Sequence, residues 1–137
     1  MERRASAVWR RGLKDGEGQF SVDSGAFYDQ KYSFRTRFES EPGTNPEELI
    51  AAAHAACFSM ALSAELGNRG ITPDAVETSC AITFEGGTLT RSTLTTTVRT
   101  EGADRAAVEE AAAAAKRGCP ISKALNLEVV LALSIAS

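Results

Sequence analysis

The sequence has one histidine and three cysteines in 137 residues, and no two of the cysteines stand close together. Without a close cysteine pair or a second histidine, the spacing of the common structural zinc sites is missing. An odd cysteine count also gives no disulfide framework. Positive charge is scarce: 15 Lys and Arg face 18 Asp and Glu, a formal net charge of −3. The pairs Arg3-Arg4 and Arg10-Arg11 are isolated and form no basic stripe, so nucleic-acid binding is not expected. The N-terminus is charged and lacks the apolar segment of a secretory signal, so the expected location is cytoplasmic. Internal repeats and low-complexity linkers are absent, and the length suits a single domain over 1–137.

One stretch stands apart. Between Glu48 and Glu65 no side chain carries a formal charge. Asn45 can cap a helix, Pro46 suits its first position, Glu47 and Glu48 fall where the helix dipole favours negative charge, and Gly67 stops it. This predicts a helix that is apolar nearly all round and therefore buried on most sides. His54, Ser59 and Ser63 interrupt a length that is marginal for a membrane span. A single sheet covers one side of such a helix and a short chain has little else to cover the rest, which predicts an obligate dimer.

Around this helix the pattern is mostly β. Ala5–Trp9 and Gln19–Val22 read as strands separated by the turn Lys14–Gly18. Tyr32–Phe38 reads as a third extended segment, with Phe34, Thr36 and Phe38 on one side and Arg35 and Arg37 on the other. Val76, Thr78, Cys80, Ile82 and Phe84 alternate with polar or small neighbours, Gly86-Gly87 forms a hairpin turn, and the return strand carries Leu94, Thr96 and Val98 on one face. Asp104 caps an alanine-rich helix that ends at Gly118, Cys119-Pro120 opens a short helical turn, and a last strand carries Leu127, Val129, Leu131, Leu133 and Ile135. The expected class is α+β, with antiparallel sheets around a buried central helix.

The three cysteines differ in setting. Cys80 shares the apolar face of its strand and reads as a small core residue. Cys57 lies within the uncharged helix, where core packing and chemistry are both open. Cys119 precedes a proline at the start of a helical turn, where backbone N–H groups and the dipole lower a thiol's pKa; an incidental loop position remains the alternative. His54, one turn before Cys57, is either a base or ligand or a histidine satisfied locally on its helix. Glu47 lies almost three turns from Cys57, too far for contact within one helix.

The run Gly43–Leu62, which reads GTNPEELIAAAHAACFSMAL, resembles the signature of the OsmC/Ohr family. Lys116–Ser122 resembles that family's second cysteine motif, Thr36-Arg37-Phe38-Glu39 its arginine segment, and Trp9 falls where a family tryptophan would. The placement of the arginine segment is closer to the OsmC branch. The resemblance implies an OsmC-like fold, an intertwined homodimer with its sites at the subunit interface, and a thiol peroxidase of oxidative and osmotic stress defence that reduces organic hydroperoxides without metal or flavin. By motif match, Cys57 is the peroxidatic thiol, Cys119 the resolving thiol, and Arg37 and Glu47 the polar pair beside the peroxide, with Arg37 expected to depress the Cys57 pKa. The resemblance implies a dithiol reductant, of which a dihydrolipoyl group is the example. Phe58 and Met60 are apolar neighbours able to favour alkyl hydroperoxides over hydrogen peroxide. The alternative is a non-catalytic zinc- or ligand-binding protein using His54, Cys57 and Cys119.

Overall fold

The computed structural model describes residues 1–137, and the chain divides into two compact units, Met1–Leu49 and Ile50–Ser137. The first holds strands β1 (Ala5–Arg10), β2 (Glu17–Val22) and β3 (Gln30–Tyr32) in an antiparallel sheet of that order. Gly18 faces both Trp9 and Tyr32 in register, and the two rings close over it with centroids 5.6 Å apart. Phe20 continues the aromatic row, 5.9 Å from Tyr32 and 5.7 Å from Phe27.

The segment expected to be extended up to Phe38 is instead a short helix, α1 (Phe34–Phe38). Its cause is a capping box: the Ser33 hydroxyl accepts the Thr36 N–H while the Thr36 hydroxyl accepts the Ser33 N–H. Helical winding separates Arg35 from Arg37, which a strand would have left on one side. The following helix α2 (Pro46–Gly67) starts as the sequence predicts, with the Asn45 side-chain oxygen accepting from the Glu48 N–H at 2.8 Å.

The second unit carries the rest of α2, strands β4 (Ala75–Glu85) and β5 (Thr88–Arg99), helices α3 (Arg105–Gly118) and α4 (Pro120–Ala124), and strand β6 (Glu128–Ala136). β4 and β5 form the expected hairpin through Gly86 and Gly87, both at positive φ. β6, however, pairs parallel to β5, so this sheet is mixed rather than antiparallel. A parallel return needs a long crossover, and the α3–α4 connection provides one. The ladder shifts register between Thr83 and Phe84, where Thr90 of β5 is left without a partner, and Phe84 at this end of the hairpin is 38% exposed.

His54, Phe58, Leu62 and Leu66, one helical turn apart, are the buried residues of α2. Their stripe joins Leu94, Val98, Val108, Ala111, Ala112, Ala115 and Cys119 in one core cluster with His54 at its polar end. By length and composition α2 would also pass for a membrane span, but this stripe is that of a core helix. Burying each of its Leu and Phe side chains stabilises the fold by roughly 1.5–3 kcal/mol. The opposite stripe, through Ala52, Ala53, Ala56, Met60 and Ala64, is exposed in the single chain, with Met60 at 75%. The helix is therefore buried along one stripe, not on most sides.

A Cβ at Gly18 would lie 2.6 Å from Trp9 Cε3 and 2.7 Å from the Tyr32 ring, whereas one at Gly67 meets nothing within 4 Å. Gly18→Ala is expected to cost about 1–3 kcal/mol through overpacking, and Gly67→Ala to be neutral or stabilising by up to about 1 kcal/mol. Denaturant midpoints of the two variants check this; equal midpoints would contradict the aromatic clamp.

Candidate active site

Two pairs of the predicted residues come together, each within one unit. In the first unit Arg37 and Glu47 form a forked ion pair: Arg37 Nε donates to Glu47 Oε1 at 3.0 Å and Oε2 at 3.2 Å, and Nη2 to Oε1 at 2.7 Å. Arg37 projects from the last turn of α1 and Glu47 from the first turn of α2. Asn45 ties the two helices, its side-chain amide donating to the Thr36 carbonyl at 3.0 Å. The Arg37 guanidinium also lies 5.0 Å over the Phe38 ring. Arg35 takes no part and reaches only Glu39, at 4.0 Å. Beside Arg37 opens a recess of about 210 Å³ walled by Trp9, Leu13, Tyr32, Phe34 and Phe38.

In the second unit the sulfurs of Cys57 and Cys119 lie 3.2 Å apart. Cys57 is held mid-helix on α2 and is partly exposed, while Cys119 sits at the α3–α4 junction at 0% exposure. Burial pushes the Cys57 thiol up; the Ile121 N–H opposes this, and the hydrogen bond to Cys119 and that sulfur's charge add to the rise. Burial works on Cys119 in the same direction but is outweighed. The Ser122 N–H, the Cys57 thiol, the Ser122 hydroxyl and the Ile121 N–H all favour its anion and bring it below the ordinary thiol range. The Cys119 thiol is placed to donate to the Cys57 sulfur across 3.2 Å, and these dipoles favour Cys119 as the anion once the pair loses a proton. The expected low pKa thus falls on Cys119, as the helix-start argument predicts, and not on Cys57.

Behind Cys119 lies His54, fully buried. It is not satisfied on its own helix: Nδ1 meets Ser92 Oγ on β5 at 2.6 Å, and Nε2 meets Ser122 Oγ on α4 at 2.6 Å. Ser92 Oγ also contacts Cys80 Sγ at 3.1 Å. With both nitrogens engaged by serines, His54 is unavailable as a metal ligand, and no group of three His, Cys, Asp or Glu residues is placed to hold an ion. The zinc reading of His54, Cys57 and Cys119 therefore finds no support. Ser92 and Ser122 were not singled out from the sequence. Ser92 lies in phase with Leu94, Thr96 and Val98, so counting the inward face two residues back reaches it.

The family model of OsmC-like proteins matches residues 38–134. The chain belongs to this family. It is 41% identical to the peroxiredoxin OsmC of Escherichia coli K12, covering 100% of this chain and 99% of that one. It is 38% identical to the organic hydroperoxide resistance protein OhrB of Bacillus subtilis over 69% of this chain and 73% of that one. The crystal structure of OhrB superposes with a TM-score of 0.64 at 29% identity, covering 96% of this chain and 97% of that one. An OsmC-like protein from Mycoplasma pneumoniae matches at a TM-score of 0.78 and 12% identity over 100% and 99% of the two chains, a likeness of fold alone. The OsmC-like α+β fold follows from both halves of this comparison.

Burial lowers the pKa of His54 below its ordinary 6.5. The unfolded chain then binds a proton that the folded one refuses, so stability is full above about pH 6.5 and falls as pH drops through that value. Because His54 is the only histidine, thermal midpoints of the wild type are expected to decline between about pH 6.5 and 5, and those of His54→Gln to stay flat there. An equal slope in both would contradict the assignment.

Proposed function

We propose that this OsmC-like protein is a two-cysteine hydroperoxide reductase in which Cys57 meets the peroxide and Cys119 resolves it. The peroxidase class follows from the family and from relatives named as a peroxiredoxin and an organic hydroperoxide resistance protein. The observation that carries the two-cysteine reading is the 3.2 Å approach of sulfurs with unequal access and unequal charge preference. Cys57 has the access; Cys119 has the stabilised anion. One shared proton lets the exposed sulfur become the anion when a peroxide arrives.

The Cys57 thiolate attacks the terminal peroxide oxygen and the O–O bond breaks. Cys57 becomes a sulfenic acid, and the leaving alkoxide takes the proton now on Cys119, giving the alcohol. The Cys119 thiolate then attacks the Cys57 sulfur, the S–S bond forms, and hydroxide leaves to become water. A dithiol returns both sulfurs to the reduced state; a dihydrolipoyl group is the reductant expected from the resemblance. Arg37, its fork fixed by Glu47, stabilises the charge developing on the peroxide oxygens. The relative named for organic hydroperoxide resistance supports organic hydroperoxides over hydrogen peroxide. The working form is a homodimer, supported by the exposed apolar stripe of α2. Residues 1–137 act as one peroxidase domain in the cytoplasm, where thiols are kept reduced and where stress-derived peroxides would be met.

Cumene hydroperoxide consumption with dithiol present tests the roles. Cys57→Ser is expected to abolish it. Cys119→Ser should consume one equivalent, more slowly for want of a proton acceptor, then stop as Cys57 over-oxidises. Arg37→Lys should lose about 100-fold or more, since an ammonium cannot reproduce the fork, while Arg35→Ala changes little. Sustained turnover in Cys119→Ser, or a disulfide to Cys80 by peptide mass, would overturn the assignment. Sedimentation of the wild type at micromolar concentration is expected to give a dimer, and a stable native monomer would remove the homodimer.

A further inference from the structure

Charge is not spread evenly over the second unit. As a whole the unit is acidic, with seven Lys and Arg against nine Asp and Glu. Arg69, Arg91, Arg99 and Arg105 are each held by a glutamate at 2.8 to 3.2 Å. The remaining cations, Lys116, Arg117 and Lys123, form no ion pair, and all three lie within four residues of Cys119. From Ala111 to Leu127 there is no acidic residue. The unit therefore neutralises its cations everywhere except around one thiol.

The backbone gathers these charges at a single joint. Lys116 and Arg117 lie in the last turn of α3, Cys119 follows, and Lys123 lies in the last turn of α4. The Cys119 N–H donates to the Ala115 carbonyl at 2.8 Å, and the Lys123 N–H to the Cys119 carbonyl at 3.0 Å. Lys116 and Lys123 thus stand about one helical turn, roughly 5 Å of rise, on either side of Cys119. Arg117 and Lys123 are exposed and Lys116 is partly so, as are the small residues Gly118 and Pro120 between them, both exposed. Helix C-termini attract cations, but each carries only about half a negative charge. Two such ends offset about one of the three positive charges, so about two remain. Their field extends about 10 Å at ordinary salt, which takes in the Cys57 sulfur, 3.2 Å from that of Cys119.

We propose that the α3–α4 joint is the docking surface for the reductant, and that the reductant is a dithiol borne on an acidic protein segment, whose carboxylates Lys116, Arg117 and Lys123 hold while its thiols reach Cys57. Three cations spread over two helix ends suit several carboxylates of a chain better than one small anion. The reductant must come to these two sulfurs once in every cycle, so a charged surface centred on them acts on it. One carrier thiolate attacks the Cys57 sulfur, the accessible end of the disulfide, and Cys119 leaves as a thiolate. The second carrier thiol attacks the mixed disulfide and Cys57 leaves. The carrier departs as a disulfide, having passed two electrons and two protons to the enzyme's sulfurs. Nearby cations also raise the thiolate fraction of the incoming dithiol. An uncharged hydroperoxide gains nothing from them. The role in turnover rests on the two-cysteine reading; the preference of the joint for acidic chains does not.

The test oxidises the full-length protein with one equivalent of cumene hydroperoxide and follows the return of free thiols. The reductants are dithiothreitol and two synthetic peptides bearing a dihydrolipoyl-lysine, one rich in Asp and Glu, the other with Asn and Gln in their place. At about 0.01 M salt the acidic peptide is expected to react about tenfold or more faster than the neutral one, the advantage vanishing toward about 1 M. Lys116→Glu, Arg117→Glu and Lys123→Glu together should abolish the advantage and leave the dithiothreitol rate unchanged. Arg3→Glu, Arg4→Glu and Arg10→Glu, an equal change of net charge, should preserve it. Equal rates for the two peptides, an advantage that survives high salt, or one that survives the first triple variant would each overturn the proposal. So would a dimeric wild type whose triple variant sediments as a monomer, since the cluster would then belong to the subunit contact. If the triple variant does not fold, Arg117→Gln and Lys123→Gln, each expected to lose about twofold or more of the advantage, decide it with the salt dependence. If no Cys57–Cys119 disulfide forms, the two-cysteine reading fails. Binding of the two peptides, thiols blocked, to the reduced protein then decides the surface: a salt-sensitive preference for the acidic one keeps it, and no preference removes it.

Discussion

A polar side chain buried without partners costs about 1–3 kcal/mol or more per unmet group. His54, at 0% exposure on an otherwise apolar helix, sets that demand at the centre of the second unit. It is met only if β5 brings Ser92 to one nitrogen and α4 brings Ser122 to the other. Phe58, Leu62 and Leu66 supply the bulk of the driving force from the same helix, but apolar contacts are nondirectional and tolerate small slides. The two short hydrogen bonds do not, and so they fix α4 against α2. Cys119 is the residue that caps α4. Fixing α4 therefore also fixes the sulfur distance to Cys57.

The electrostatics of the thiol pair follow from where each sulfur sits on its helix. Mid-helix, the backbone N–H groups are spent on carbonyls one turn back, so Cys57 receives little to offset desolvation. At the start of a helix they are free, and Cys119 collects those of Ile121 and Ser122. Burial alone would leave both thiols neutral. The unspent donors decide which one holds charge, and they lie on the side shielded from solvent. Reactivity and access are thereby divided between two sulfurs close enough to exchange a proton.

Much of this was legible in the sequence. The start and end of α2, the β4–β5 hairpin, the Asp104 cap of α3 and the distinct setting of Cys119 all follow from local signals, and local signals survive folding. Arg37 and Glu47 could be paired only through the family resemblance, because nothing local reports an ion pair between adjacent helices. Of the features misread, three have reasons that lie in the local pattern. Ser33 and Thr36 form a capping box whose third position is Thr, and alternation of Phe and Arg made the same residues look extended. The bulge at Thr90, opposite Phe84, leaves no mark in a period-two pattern. The direction of β6 depends on the sheet partner it finds, which its own residues do not encode.

That last misreading bears most on the site. An antiparallel β6 would need only a short turn after β5, and the stretch between them would have been free to wander. The parallel pairing forces a crossover that must travel back the length of the sheet, and α3 and α4 are that crossover. A single helix can make such a return, but here the path breaks between α3 and α4. Gly118 and Pro120 make the break, and Cys119 stands between them. The residue whose backbone setting best stabilises a thiolate is thus placed by sheet topology at the one joint in the crossover. The same joint directs Ser122, one helical turn on, toward His54. Strand direction, helix capping and thiol chemistry are in this sense a single constraint, expressed at different distances along the chain.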